Sequence, residues 1–321
     1  MKNKPILIVA GTPKSVFFEI FFKSIRLKKY KSPLVLICSK ELLKKNLKEK
    51  KINLKINVIK IDQLKNIKND FKNINLLNVS LLKSKNDKKN SKYISKYIHE
   101  CFCLAFKIIS SGFTHKFING PINKKFFLKN KYLGITEYIS KYFNRNNVGM
   151  LIYNKKLSVS LVTTHLPLKQ VVKKINKHVI EKKISLINEF YKEQLKIKPK
   201  IAVTGLNPHC ETILKYDEDK QIISKAIISQ KKRGVSVFGP FPSDTIFLKS
   251  NRTKYDVILG MYHDQVLTPM KTLYEFDAIN VTMGLPFLRV SPDHGPNEQM
   301  VGKNISNPLS LIRAIEFLQS K

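Results

Sequence analysis

The sequence contains no tryptophan, few glycines and very few acidic residues for its length. Among 321 residues there are 12 glycines, and 23 Asp and Glu stand against 59 Lys and Arg, which gives a formal net charge of +36. Such a charge can indicate a nucleic-acid or anionic-membrane partner. The basic residues, however, are spread along a chain that is rich throughout in Lys, Ile and Asn. We therefore interpret the charge as a composition bias, which predicts no specific nucleic-acid partner but helps to attract phosphorylated substrates.

Long apolar runs and paired cysteines are also absent. No apolar run reaches the ~18 residues of a transmembrane helix, so no membrane partner is expected. The cysteines at 38, 101, 103 and 210 form no CxxC motif, which fits free thiols in a reducing cytoplasm. The short apolar run at the N-terminus reaches Gly11 at once, which favours a first β-strand over a signal peptide.

Short apolar runs alternate with amphipathic segments along the chain. Strands are predicted at 5–10, 34–38, 56–61, 116–119, 157–162, 200–206, 234–240 and 256–261. Helices are predicted at 15–25, 41–50, 93–111, 175–195, 217–232 and 305–318, and the Lys/Asn-rich segment 62–92 is predicted as a surface loop with an edge strand. This alternation is typical of an α/β fold with a largely parallel sheet.

Three of the seven histidines follow predicted strands at regular intervals. His165 and His209 are 44 residues apart, and His209 and His263 are 54 apart, as in successive β–α units. Ligands of parallel α/β proteins bind beyond the carboxyl ends of the strands. Imidazole suits Zn, Co, Ni or Mn, and the nearby carboxylates of Asp244 and Asp264 could orient the rings. The pattern predicts a divalent-metal site, with three unrelated loop histidines as the alternative.

Two other segments could present groups to an anion. Gly120 to Lys124 follow a predicted strand, and Thr136 and Glu137 lie near a helix start that offers free N–H groups. A plain turn at the first segment and simple capping at the second remain open alternatives.

Five segments together resemble one known family. They read GPINK at 120–124, LNPHCE at 206–211, GPFPSDTIF at 239–247, YHDQVLTPMK at 262–271 and INVTMGLPFLRVSPDHG at 279–295. This ordered set is similar to the motifs of the 4-hydroxythreonine-4-phosphate dehydrogenase family of vitamin B6 biosynthesis. The resemblance is strongest over about residues 117–305.

The resemblance implies two α/β/α domains around a largely parallel sheet, as in isocitrate and isopropylmalate dehydrogenases. One domain is predicted at 1–130 plus 280–321, and a second, which carries the three histidines, at 131–279. The family also implies a homodimer, with the active site in the interdomain cleft at the dimer interface.

The implied activity is the NAD(P)-dependent oxidation of 4-phosphooxy-L-threonine at C3, with decarboxylation to 3-amino-2-oxopropyl phosphate, in pyridoxine 5′-phosphate biosynthesis. The cofactors would be NAD or NADP and a divalent metal (Zn, Mg or Co). By motif match the metal ligands are His165, His209 and His263, with His263 reaching the site of the partner subunit, and the contacts to the small phosphorylated substrate are Thr136, Lys271, Asn280 and Arg289. Lys271 as a proton carrier and Asp244 as a supporting base are the predicted catalytic residues, and no residue is assigned to the dinucleotide.

Two segments depart from the family pattern. The sequence reads Gly-Ile-Thr-Glu at 134–137 where the family has Gly-His-Thr-Glu, and the apolar side chain of Ile135 cannot form a hydrogen bond. At 11–19 the later glycines of the family motif G-D-P-x-G-I-G-P-E are lost, and Phe17 and Phe18 are predicted to obstruct the close approach of a ligand. The alternatives are therefore a dehydrogenase for threonate or erythronate 4-phosphate, or a degenerate, non-catalytic homologue.

Overall fold

The apolar runs form short strands, and most of the amphipathic segments between them form helices. The structure is a computed structural model that describes residues 4–67, 72–82, 87–128, 132, 134–212 and 216–321. Its strands are β1 Ile6–Val9, β2 Leu34–Cys38, β3 Lys55–Val58, β4 Asn73–Asn78, β5 Lys116–Asn119, β6 Gly149–Tyr153, β7 Ser158–Leu161, β8 Ile201–Thr204, β9 Val237–Phe241, β10 Val257–Gly260, β11 Ile279–Met283 and β12 Leu288–Pro292. Its α-helices are α1 Phe17–Leu27, α2 Lys40–Glu49, α3 Asp87–Ser110, α4 Lys124–Phe127, α5 Ile135–Tyr142, α6 Leu168–Lys174, α7 Lys177–Phe190, α8 Lys225–Lys232, α9 Ser243–Ile246, α10 Lys249–Arg252, α11 His263–Tyr274 and α12 Leu309–Gln319. Among the helices of these ranges, none combines the length and apolar character that crossing a membrane requires.

Contacts within the chain divide it into two compact units. Unit 1 comprises Met1–Phe143 and Pro286–Lys321, and unit 2 comprises Asn144–Leu285. The predicted domain boundaries, 1–130 plus 280–321 and 131–279, stay a prediction.

The strands of unit 1 run parallel in the order β3-β4-β2-β1-β5-β12. All four residues of β1 are buried, because α3 and α12 both pack against this strand. Parallel strands that are covered by helices read as continuous apolar runs, which is why β1 and β2 were recognisable in the sequence. The prediction of an edge strand within 62–92 was wrong, since β4 pairs with β3 on one side and with β2 on the other. The outer strand of this sheet is β3, which is short and exposes Lys55.

The strands of unit 2 follow the order β11-β6-β7-β10-β8-β9. The sequence pattern did not predict β6, which runs antiparallel to both β11 and β7. The remaining neighbours β7, β10, β8 and β9 pair in parallel. Side chains such as Ile152, Val159, Ala202 and Ile258 form the core between this sheet and its helices. Because β6 is antiparallel to both of its neighbours, β11 runs in the same direction as β7. The carboxyl ends of β11, β7, β10, β8 and β9 therefore lie at one edge of the sheet.

The segment 11–19 packs closely against the rest of unit 1. Phe17 and Phe18 are 0% and 2% exposed at the start of α1, so both rings belong to the core of unit 1. Gly11 has φ +85°, and a Cβ there would lie 2.4 Å from the carbonyl oxygen of Pro121. The glycine is therefore required by backbone packing between two turns.

Glu19 is a buried carboxylate that joins three segments of unit 1. Its side chain is 3% exposed and lies 3.0 Å from Lys23 Nζ and 3.8 Å from Lys50 Nζ. The backbone N–H of Ser306 also donates to Glu19 Oε1, at 2.6 Å. Burial raises the pKa of Glu19. The hydrogen bonds from Lys23 and Ser306 and the charge of Lys23 together lower it by more than burial raises it, so the pKa lies below its usual value.

A carboxyl whose pKa is lowered in the folded state stabilises the protein above its unfolded-state pKa of about 4.3, and that stabilisation is lost as the pH falls through the folded-state pKa. Glu19→Gln should therefore reduce the free energy of unfolding by about 1–3 kcal/mol at pH 7, with a smaller difference at acidic pH. Urea unfolding between pH 3 and 7 measures both effects. Glu49→Gln is the control, because Glu49 is 58% exposed in its pair with Lys45. Equal losses for the two variants would contradict the role of Glu19.

Candidate active site

Three neighbouring parallel strands of unit 2 bring the predicted metal ligands to one edge of the sheet. β10 lies between β7 and β8. His165 follows β7 by four residues, His263 follows β10 by three, and His209 follows β8 by five. The sheet order therefore explains why histidines that are far apart in sequence occur after adjacent strands.

Two of the three imidazole rings lie close together. The ring centroids of His165 and His263 are 5.8 Å apart, with an interplanar angle of 52°. Metal–nitrogen bonds are about 2.0–2.1 Å long, so two imidazoles on one ion have centroids about 5 Å apart. His263 Nδ1 is 2.7 Å from Asp264 Oδ1, and if it donates to that carboxylate, the lone pair of Nε2 is available to a metal. The geometry of this pair fits a divalent cation.

The loop that carries His209 is held by a buried carboxylate. Asp219 is fully buried and accepts hydrogen bonds from the backbone N–H groups of Leu206, at 2.7 Å, and of Asn207, at 3.0 Å. His209 itself is exposed and has a φ of +57°. Burial, Asp219 and, to a smaller extent, Asp244 and Asp217 raise the pKa of the Cys210 thiol to about 11.

In the described part of the chain, no three His, Cys, Asp or Glu side chains form a group that could hold a metal. One chain thus pairs two of the three predicted ligands.

Gln265 connects the strand ends beneath the histidines. Its Oε1 accepts from Met261 N at 2.7 Å and from Thr204 Oγ1 at 2.9 Å. Its Nε2 donates to the carbonyl oxygen of Gly205 and to Ser243 Oγ, both at 2.7 Å. One buried amide thereby ties together the ends of β10 and β8 and the start of α9, which carries Asp244.

Gln265→Glu should lower the free energy of unfolding by about 2–4 kcal/mol, because the new carboxylate cannot donate to Gly205 and places a charge beside its carbonyl oxygen. Denaturant unfolding measures the loss. Gln221→Glu, at an exposed position of the same unit, is the control and should change little. A loss no larger than that of the control would show that the amide does not organise this edge.

Unit 1 contains a buried guanidinium group. Arg289, on β12, donates through Nε to Asn119 Oδ1 at 2.8 Å and through Nη1 to Thr136 Oγ1 at 3.2 Å. Burial lowers the pKa of Arg289 to about 10, and the charge of Glu137 opposes this shift. Arg289 therefore remains cationic at neutral pH. Thr136 lies in the first turn of α5, where N–H groups are without helical partners, and the carboxylate of Glu137 in the same turn offsets part of the positive potential of these groups.

The other predicted substrate and catalytic residues lie in unit 2. Asn280 Nδ2 is 3.4 Å from Met150 Sδ, and Asn280 Oδ1 is buried without a hydrogen-bond partner among the described residues. A buried amide oxygen of this kind costs free energy and commonly marks a functional position. Lys271 is exposed in the last turn of α11, about 12 Å along the helix axis from His263. Asp244 is exposed in the first turn of α9.

Three supporting residues were not assigned a role from the sequence: Gln265, Asp219 and Asn119. The first lies within the YHDQ motif and the second at the start of a predicted helix. A polar residue at an otherwise apolar position of such a motif is a usable signal, but its partners are visible only in the structure. Ile135, the predicted departure from the family, is 7% exposed at the first position of α5.

The fold belongs to a known class of α/β proteins. Isocitrate dehydrogenase from Methylococcus capsulatus is similar over 99% of this chain and 85% of its own, with a TM-score of 0.50 and 11% identity. This likeness confirms the predicted fold class, an α/β architecture with a mostly parallel sheet like that of isocitrate dehydrogenase.

Closer relatives define the family within this class. The model of the family described as pyridoxal phosphate biosynthetic protein PdxA matches residues 29–318, and the chain belongs to this family. The 4-hydroxythreonine-4-phosphate dehydrogenase of Sulfurihydrogenibium sp. is 36% identical over 319 residues, which cover 97% of this chain and 96% of that protein. The D-threonate 4-phosphate dehydrogenase of Pectobacterium atrosepticum is 34% identical over 222 residues, 68% of each chain. The crystal structure of 4-hydroxythreonine-4-phosphate dehydrogenase from Klebsiella pneumoniae has a TM-score of 0.86 at 28% identity, over 99% of this chain and 97% of that one.

Proposed function

We propose that the protein oxidises 4-phosphooxy-L-threonine at C3 with NAD or NADP and releases CO2, giving 3-amino-2-oxopropyl phosphate for pyridoxine 5′-phosphate biosynthesis. The observation that carries the proposal is the pair of histidines, His165 and His263, at adjacent strand ends in a chain that matches its dehydrogenase relatives over nearly its whole length. The degenerate, non-catalytic alternative is disfavoured because the imidazole pair and the buried Arg289 are both present.

The proposal assigns the metal to His165, His209 and His263. Bound NAD(P) would supply a hydride acceptor, and a bound divalent ion (Zn, Mg or Co) would supply a Lewis acid for the C3 hydroxyl and for the charge that develops on decarboxylation. Asp264 orients the His263 ring through the hydrogen bond between Asp264 Oδ1 and His263 Nδ1. Lys271 would act as the proton carrier. Asp244, whose charge raises the pKa of the nearby Cys210 thiol, would act as a supporting base.

The proposal assigns the anionic part of the substrate to Arg289 and Thr136. A guanidinium group grips a carboxylate or phosphate through paired N–H donors, and the burial of Arg289 strengthens such a contact. Asn280 Oδ1, which has no partner among the described residues, is suited to accept a hydrogen bond from the substrate.

A homodimer is part of the proposal. One chain pairs only His165 and His263, and the described residues contain no complete group of three ligands. The resemblance implies that His263 reaches the site of a second subunit, but here it lies beside His165 of its own chain, and we propose that a second subunit completes the set of three ligands. A cytoplasmic location also remains a prediction, based on the free cysteines.

The test is the formation of reduced nicotinamide by purified protein loaded in turn with Zn, Mg or Co. With 4-phosphooxy-L-threonine and either NAD or NADP we expect absorbance of the reduced cofactor together with CO2 release. Protein treated with a chelator serves as the control. No reduced cofactor with any metal and either nucleotide would refute the proposal.

D-Threonate 4-phosphate is the second candidate substrate. It is supported by the similarity to a dehydrogenase of that name and by the apolar Ile135 at the start of α5. Comparing kcat/KM for 4-phosphooxy-L-threonine with kcat/KM for the threonate and erythronate 4-phosphates decides between them. A higher value for an acid that lacks the amino group would select this second function.

A further inference from the structure

The loop that carries His209 contains two consecutive residues with an unfavourable backbone conformation. His209 and Cys210 have φ angles of +57° and +62°, a range that residues other than glycine rarely adopt. Such a conformation costs free energy and persists only where the surrounding structure holds it, most often at functional sites. The loop therefore needs a support outside its own backbone.

That support is the side chain of Asp219, the first residue of the helical turn Asp219–Ser224. Its Oδ1 accepts from Leu206 N at 2.7 Å, and its Oδ2 accepts from Asn207 N at 3.0 Å and from Asn207 Nδ2 at 2.9 Å. Asp219 is fully buried, and no Lys or Arg of the described ranges forms an ion pair with it. A buried carboxylate without a cation is costly unless hydrogen bonds satisfy its oxygens. The three N–H donors and the carboxylate therefore stabilise one another and fix the start of the loop.

The packing around Gly205 sets the direction of the two side chains that follow. A Cβ at Gly205 would lie 2.6 Å from Cys210 Sγ and 2.7 Å from Asp219 Oδ1, so the thiol is turned onto the glycine and lies next to the carboxylate. His209, by contrast, is exposed. The thiol and the carboxylate thus occupy the inner side of the loop, and the imidazole is left on its outer side.

We propose that Asp219 is a positioning residue that acts through the backbone of residues 206–210 and presents His209 to the divalent metal. The proposal rests on the metal role of His209 proposed above and adds what fixes this ligand in place. Asp219 itself is not a ligand. A ligand that is held in its binding conformation loses less conformational entropy when the ion binds, so its support raises metal affinity.

Zn²⁺ titration of the full-length protein by calorimetry tests the proposal with Asp219→Asn. Asparagine keeps one oxygen acceptor but turns an NH₂ group towards a backbone N–H, so at least one of the two backbone hydrogen bonds is lost. We expect Zn²⁺ affinity to fall about 10- to 100-fold, as it does when the outer partners of metal ligands are removed.

Asp217→Asn is the matched control. Asp217 is also buried, and its Oδ1 accepts from the backbone N–H groups of Asp219, at 2.9 Å, and of Lys220, at 3.2 Å. An asparagine oxygen can accept the same two bonds, so Zn²⁺ affinity should stay within about threefold of the wild type. Both substitutions remove one negative charge near the loop, and the comparison therefore separates geometry from charge.

A double-mutant cycle distinguishes positioning from a general loss of structure. If Asp219 acts through His209, Asp219→Asn should change Zn²⁺ affinity by less than about threefold in a His209→Ala background. An equal loss in both backgrounds, or no loss in the wild-type background, would overturn the proposal and leave the proposed metal site standing. A wild type that binds no Zn²⁺ would overturn the metal site and this inference together.

Hydrogen exchange of the wild type keeps the test independent of whether Asp219→Asn folds. The amides of Leu206 and Asn207 should exchange slowly without added metal, and Zn²⁺ should change their rates by less than about threefold. Fast exchange that Zn²⁺ slows by about tenfold or more would mean that the ion orders the loop, and would overturn the role of Asp219. Neither measurement depends on dehydrogenase activity.

Discussion

Arg289→Lys is expected to lower kcat/KM for the phosphorylated substrate by about 10²- to 10³-fold. Arg289 is 3% exposed and donates to both Asn119 and Thr136. Lysine keeps the charge, but its single ammonium cannot reproduce the planar pair of donors. The loss of one or two charge-assisted hydrogen bonds corresponds to about 3–4 kcal/mol, which gives the expected factor. Steady-state kinetics with 4-phosphooxy-L-threonine and with D-threonate 4-phosphate measures it.

The control for this change is Arg145→Lys, because Arg145 is exposed and should leave kcat/KM unchanged. Urea unfolding of both variants separates a catalytic defect from a loss of fold. If Arg289→Lys retained kcat/KM within about threefold of the wild type while remaining folded, the guanidinium would not be a substrate contact.

His263→Ala is expected to reduce metal-dependent turnover by about 10³-fold or more. Lewis-acid stabilisation of a developing alkoxide is worth several kcal/mol, and about 4 kcal/mol corresponds to 10³-fold. The substitution leaves His165 without the ring whose centroid lies 5.8 Å away. Turnover and bound metal are measured on the same preparation, so that loss of the ion and loss of rate can be compared directly.

His178→Ala is the matched control, since His178 is an exposed histidine of the same unit. Asp264→Asn should show an intermediate effect, with metal affinity reduced about 10- to 100-fold, because it weakens only the partner of His263 Nδ1. Unchanged metal content and turnover in His263→Ala would remove this histidine from the site.

The sequence was sufficient for the features that depend on local patterns. The strand at 34–38 and the strand at 116–119 have the predicted bounds, because their apolar runs are buried in a parallel sheet. The helix predicted to open at 134–137 begins at Ile135. The fold class and the family are confirmed, whereas the roles of the site residues stay predictions until they are tested by substitution.

Features that depend on distant partners could not be found in the same way. The hydrogen bond between Arg289 and Thr136 joins residues 153 positions apart. Gln265 appeared in the sequence only as one polar residue after a strand, and its four partners come from three other segments. β6 was missed because an apolar run as short as Gly149–Tyr153 does not by itself distinguish a strand from another buried segment. The internal place of β4 depends on sheet order, which local composition does not encode.

The division of unit 1 into two chain segments has a consequence for synthesis on the ribosome. Arg289 is made 170 residues after Asn119, its hydrogen-bond partner. At about 5–20 residues per second this interval lasts roughly 10–30 seconds, during which β5 has no β12 beside it. The nascent chain then exposes an unpaired strand edge, a surface on which other chains can aggregate. The guanidinium group proposed to hold the substrate is thus among the last parts of unit 1 to be put in place, after all of unit 2 has been translated.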